Sequence, residues 1–117
     1  MTILCCGDRA WNNVTVIENV LLQYKGQDIT LVHGNCRGAD KICAFQGLKL
    51  GFKILSFPAN WFLHGKAAGP IRNRQMLDEN KIDLVLAFHN YINNSSGTKD
   101  MLKQAKNRNI PTKLFTE

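Results

Sequence analysis

The chain has 117 residues, 44% of them hydrophobic, and a formal charge of +6 from 15 Lys and Arg against 9 Asp and Glu. That length suits one compact domain spanning residues 1–117, with apolar content enough for a core. No apolar run approaches the roughly 20 residues that cross a bilayer. The start, "MTILCCGDRAW", lacks the basic lead-in and sustained apolar stretch of a signal peptide. A soluble, cytoplasmic protein with no membrane partner is therefore expected. Cys5 and Cys6 are adjacent and face opposite sides of a strand, and Cys36 and Cys43 add no C-x-x-C pair, so no metal site is expected and the thiols read as free. Free thiols suit a reducing compartment. The basic excess favours an anionic partner, a phosphate-bearing small molecule or nucleic acid, with surface solubility as the alternative.

Along the chain, short β-rich runs alternate with helical stretches, the order of a βαβ protein. Residues 2–6, "TILCC", predict a buried first strand ended by Gly7. Val16, Ile17, Val20, Leu21 and Tyr24 recur at helical spacing over residues 14–24, with Asn12 or Asn13 as the cap. A second strand over 29–33 precedes a helix over 39–50, in which Ile42, Cys43, Phe45 and Leu50 are available for packing and Gly51 marks the end. "FKILSF" is a third strand, stopped by Pro58. Residues 59–69 break the rhythm as a long loop, and Pro70 sits early in a third helix extending over 71–80. The run 82–88 is the most apolar and predicts a central strand. A second long loop, "HNYINNSSG", leads to a helix over 98–107, and a short last strand over 113–115 follows Pro111. The expected class is α/β: a Rossmann-like, doubly wound parallel sheet of about five strands with helices on both faces.

In that architecture ligands bind at the carboxyl ends of the strands, which is where the unusual polar segments fall. After the first strand, Gly7 permits close backbone approach and Arg9 offers a planar fork to phosphate, unless Asp8 and Arg9 merely pair at the surface. "HGNCRGAD" places Gly34 and Gly38 before a helix mouth suited to an anion, though the spacing is not that of a Walker loop. Asp40 either caps its helix or accepts ribose hydroxyls; His33 is either an acid–base group or a hydrogen-bonded structural residue. Lys66, Arg72 and Arg74 lie near a helix start, where the dipole disfavours cations, so a bound anion would explain them. Gly65 and Gly69 allow the chain to approach a ligand. Trp61 either stacks on a base or plugs the loop onto the sheet. Ser95, Ser96, Gly97 and Thr98 form either a second phosphate cradle or an ordinary cap.

The ordered motifs "CGDRAW", "VHGNCRGAD", "FPANW", "GKAAGPIRNRQM" and "AFHNYINNSSGTKDM" resemble the SLOG superfamily of Rossmann-like proteins, in its YspA/YpsA-related branch, over nearly the whole chain. Relatives include the LOG phosphoribohydrolases, the DprA-type DNA-binding proteins and sensors of nucleotide-derived signals; small versions are frequent in bacteria and phages. The resemblance implies a nucleotide-derived ligand, ADP-ribose-like in kind, no added cofactor, and a homo-oligomer. It points to Gly7, Arg9, Gly34, Gly38, Asp40, Gly69, Arg72, Asn73, Gly97 and Thr98 as site residues. It also implies Arg72 as an aid to N-glycosidic cleavage, with Asp40 or Asp100 as candidate catalytic partners. The LOG signature P-G-G-x-G-T-x-x-E is incomplete, since Met101 stands where its glutamate would be. Nucleic-acid binding is the further alternative, on the charge of Lys99, Lys103, Lys106 and Arg108.

Overall fold

The computed structural model describes residues 1–117. Five parallel strands, β1 (Thr2–Gly7), β2 (Thr30–His33), β3 (Lys53–Ser56), β4 (Leu84–Phe88) and β5 (Thr112–Phe115), form one sheet in the order β3-β2-β1-β4-β5. The helices are α1 (Val14–Leu22), α2 (Ala39–Lys49), the short α3 (Trp61–His64), α4 (Ala68–Glu79) and α5 (Gly97–Asn107). This is a Rossmann-like α/β fold, with β1 rather than β4 in the middle position.

The two faces of the sheet follow directly from the period-2 alternation of β1. Ile3 and Cys5 join Ile17, Leu21 and Cys43 in a core under α1 and α2. Leu4 and Cys6 join Met76, Leu77, Met101 and Ala105 in a second core under α4 and α5. Every residue of β4 is buried, as expected of a parallel strand covered on both faces, whereas the edge strands β3 and β5 are partly exposed. The four cysteines are free, and Cys5, Cys6 and Cys43 are buried. No helix is long and apolar enough to cross a membrane.

Local signals place most boundaries. Asn13 Oδ1 accepts the Val16 N–H at 3.2 Å and caps α1. Gly51 follows α2 with φ +84°, the left-handed end that glycine favours. Three expectations need correction. Phe45 does not pack in the core but lies on the solvent face of α2, beside the Lys49 ammonium at 5.6 Å from its ring, because Cys43, Gln46 and Gly47 occupy the buried stripe. The segment 59–69 is not one loop: Asn60 Oδ1 accepts the Leu63 N–H at 2.9 Å and starts α3, and a 3₁₀ turn over Gly65–Ala67 leads directly into α4. Helix α4 therefore begins at Ala68, with Pro70 in its first turn, where a missing N–H costs little.

Candidate functional site

Strands β1 and β4 are neighbours, and their chains leave toward opposite faces of the sheet. A crevice must open at that switch point, at the carboxyl ends of the strands. A cavity of about 680 Å³ lies there, within the size range of small-molecule sites. Gly7, Asp8 and Arg9 line it from the end of β1; Gly34 and Asp40 from the loop and helix after β2. Trp61, Lys66, Gly69, Arg72 and Asn73 line it from α3, the 3₁₀ turn over Gly65–Ala67 and α4, and Ser96, Gly97 and Thr98 from the mouth of α5. His33, Gly38, Arg74 and Asp100 are not among its walls.

Arg72 is 7% exposed, yet no carboxylate lies within ion-pair distance of it. Its Nη1 donates to Gly34 O at 2.6 Å and its Nε to Asn73 Oδ1 at 3.0 Å. Nη2 makes no hydrogen bond within the chain, and since no buried side-chain polar atom is orphaned, it is reachable from the cavity. Gly34 is required for this arrangement, because a Cβ there would collide with the Arg72 guanidinium. Asn73 spends its other end on α5: Nδ2 donates to Gly97 O at 3.2 Å and to Asp100 Oδ2 at 3.0 Å. Asn73 thus orients Arg72 and ties the two helices together. Asp100 Oδ2 also accepts from Gln104 at 2.8 Å, which turns that carboxylate away from the cavity.

Asp40 is 5% exposed. Its Oδ2 accepts the N–H groups of Gly34 at 3.0 Å and Cys36 at 3.2 Å, so it closes the preceding loop instead of capping its own helix. Burial pushes its pKa up to about 6, against the opposing pull of the Cys36 N–H, Arg72, the Gly34 N–H and Arg9. His33 lies behind the same loop, where Nδ1 accepts the Asn35 N–H at 3.0 Å. Burial lowers its pKa, helped by Lys41 and Arg72, and the neutral ring acts as a turn clamp outside the cavity. Gly38 has φ +75°, and a Cβ there would strike the Asp8 and Arg9 carbonyls, so its place is structural: it lets α2 begin beneath the β1 loop.

The rim is cationic and aromatic. Trp61 is 47% exposed rather than a core plug, and the Arg9 guanidinium lies 5.3 Å from its ring centroid. Arg9 therefore stacks on Trp61 and makes no ion pair with Asp8. A second groove of about 560 Å³ continues past this pair, sharing Arg9, Trp61 and Arg72 with the first and adding Arg37. At the mouth of α5, Ser95 Oγ accepts the Thr98 N–H at 3.0 Å, while Ser96 makes no side-chain cap.

The wall also holds Cys36 and His89, which the sequence pattern does not single out. Cys36 lies 3.7 Å from Arg72 Nη1. His89, 8% exposed, is the first residue after β4 and faces Asp8, the first after β1. The signal for His89 was positional: it occupies on its strand the place that Asp8 occupies on the neighbouring one. Met101 is fully buried in the core, so α5 presents no side chain from that position to the cavity.

Solved structures share this architecture. DNA processing protein A (DprA) from Streptococcus pneumoniae superimposes with a TM-score of 0.75 at 16% identity, over 98% of this chain and 49% of that one. The C-terminal domain of a hydrogenase from Pyrococcus furiosus gives 0.56 at 20% identity, over 97% of this chain and 88% of the other. The present chain thus spans about half the length of DprA, and both likenesses concern the fold. In sequence, the chain is 32% identical to the "Gene 61 protein" of Mycobacterium phage D29, over 97% of this chain and 94% of that protein. Residues 1–64 match the model of the YspA, cpYpsA-related SLOG family. With the motif order, the switch-point crevice and this match in hand, the chain belongs to the YspA/cpYpsA-related SLOG family.

Proposed function

We propose that the switch-point cavity binds a nucleotide or nucleotide-derived, ADP-ribose-like phosphate ligand, as a sensor or sequestering protein. The observation that carries this reading is Arg72: a buried guanidinium with no carboxylate partner, one nitrogen of its fork open to the cavity. Asp40 acts on Arg72 electrostatically but makes no hydrogen bond to it, so the free Nη2 leaves room for a charge-assisted hydrogen bond to an anion. Arg9, Lys66 and the N-terminus of α5 add positive potential to the same cavity. Trp61, with Arg9 over its ring, offers an aromatic surface for a base. Titration calorimetry against AMP, ADP, ADP-ribose and adenosine tests the reading. Binding of the phosphate-bearing members but not adenosine is expected; failure of every phosphate-bearing member overturns it.

Binding without bond cleavage is favoured by the state of the carboxylates. Met101 stands in the core, Asp100 is engaged by Asn73 and Gln104, and Asp40 holds its loop. Chromatography of nucleoside monophosphates incubated with the protein should show no free base; base release that depends on Arg72 would reinstate the hydrolase.

Single-stranded nucleic acid is a second reading, favoured by the groove that continues past Arg9 and Trp61 to Arg37. Lys99, Lys103 and Lys106 are exposed on α5, whereas Arg108 is held by Asp78 at 2.7 Å. Such binding would weaken steeply with added salt.

A further inference from the structure

The cavity contains a pair of groups that phosphate binding does not use. Gly7 is in register with Phe88, so Asp8 and His89 leave the adjacent strands β1 and β4 side by side. The Asp8 N–H donates to Phe88 O at 2.9 Å and the His89 N–H to Phe115 O at 3.0 Å, which fixes both backbones. Asp8 Oδ1 accepts the Ala10 N–H at 2.9 Å and leaves Oδ2 facing His89. His89 Nδ1 accepts the Tyr91 N–H at 3.0 Å. An acceptor at Nδ1 places the proton of the neutral ring on Nε2.

Nε2 and Asp8 Oδ2 are 3.9 Å apart. That is too far for a direct hydrogen bond, yet close enough for one oxygen atom to bond to both. Nε2 has no other partner in the chain and is not orphaned in the interior, so the cavity reaches it. A donor beside an acceptor matches a hydroxyl, which accepts from Nε2–H and donates to the carboxylate. A phosphate oxygen only accepts, and Asp8 would repel it. Asp40, the ribose contact expected from sequence, has one carboxylate oxygen committed to two backbone N–H groups.

Resting on the phosphate-ligand reading of this cavity, we propose that Asp8 and His89 form a hydroxyl subsite that reads one sugar hydroxyl of the ligand and selects ribose over a deoxy sugar. The test is calorimetric titration of AMP, 2′-deoxy-AMP and 3′-deoxy-AMP. Wild type should lose about tenfold or more in affinity for one of the two deoxy compounds, the scale of a hydrogen bond to a charged group. His89→Asn keeps an acceptor for the Tyr91 N–H but removes the distal donor, and it should clearly reduce the discrimination, leaving the part carried by Asp8. His89→Gln places a donor near the Nε2 position and should restore part of the discrimination. Asp8→Asn, which retains an acceptor for the Ala10 N–H, should reduce it. Equal binding of all three compounds by wild type overturns the hydroxyl subsite alone, as does full discrimination in His89→Asn. Absence of AMP binding by wild type overturns the phosphate reading and the subsite with it.

Discussion

Asp40 carries the clearest pH signature in the chain. Its carboxyl pKa is raised by burial from 3.8 to about 6, so the folded state holds the proton more tightly than the unfolded state between those values. The stability it contributes is complete below the unfolded pKa and is lost as the pH rises through the folded one. At 1.36 kcal/mol per pKa unit, the full effect is on the order of 3 kcal/mol. Urea denaturation of wild type and Asp40→Asn should show the wild type gaining about 2 kcal/mol relative to the variant between pH 7 and pH 4.5. A constant difference would mean that the carboxyl is not held in this environment. Gly34→Ala tests a neighbouring point: the added Cβ meets the Arg72 guanidinium, so ligand affinity should fall about tenfold or more through displacement of that fork. Unchanged titrations for Gly34→Ala would contradict the geometry of the Gly34–Arg72 contact.

Among the elements, the termini of helices carry both stability and site. Asn13→Ala removes the side-chain acceptor at the start of α1 and should cost about 1 kcal/mol, a Tm lowered by about 4 °C in thermal unfolding. The same kind of local chemistry made the elements readable: the alternation in β1, the helical stripe of Val16, Ile17, Val20 and Leu21, and the glycine after α2 are local signals. What was not readable depends on long-range placement. The stripe of α2 buries Gln46 and Gly47 while Phe45 faces solvent, a choice set by how closely the helix approaches the sheet, where Gly47 lies against Leu31 and Ile54. Helix α3 leaves no signal in the sequence pattern because its apolar residues Trp61, Phe62 and Leu63 face outward and give no core-facing stripe. In the site, the basic, glycine-hinged segment that leads into α4 and forms its first turns was legible as a cluster of charges. That Arg72 is inside, Arg74 outside and Asn73 the bridge to α5 required the fold. That Asp40 clamps its own loop while Asp8 turns a carboxylate oxygen toward His89 likewise depends on strands brought together from distant parts of the chain.

At the scale of the whole molecule, a doubly wound sheet gathers the loops that follow its strands at one end, and here those loops place a net positive charge around one cavity. The opposite property is a surface with apolar side chains in the open: Phe62 is completely exposed, Leu63 67% and, on α2, Leu48 64%. The homo-oligomer expected from the family resemblance would cover some of these side chains. Light scattering after gel filtration should give a mass above the 13.2 kDa of one chain, and Phe62→Ser should lower it if α3 lies in the contact. A monomer at all concentrations would contradict the homo-oligomer. The role of Arg72 as the phosphate grip is tested most directly by the affinity for ADP-ribose of wild type against Arg72→Gln and Arg72→Lys. Loss of about tenfold to a hundredfold in Arg72→Gln, with intermediate binding in Arg72→Lys, is predicted for a charged fork that grips a phosphate. Folded variants that bind ADP-ribose as tightly as wild type would contradict it.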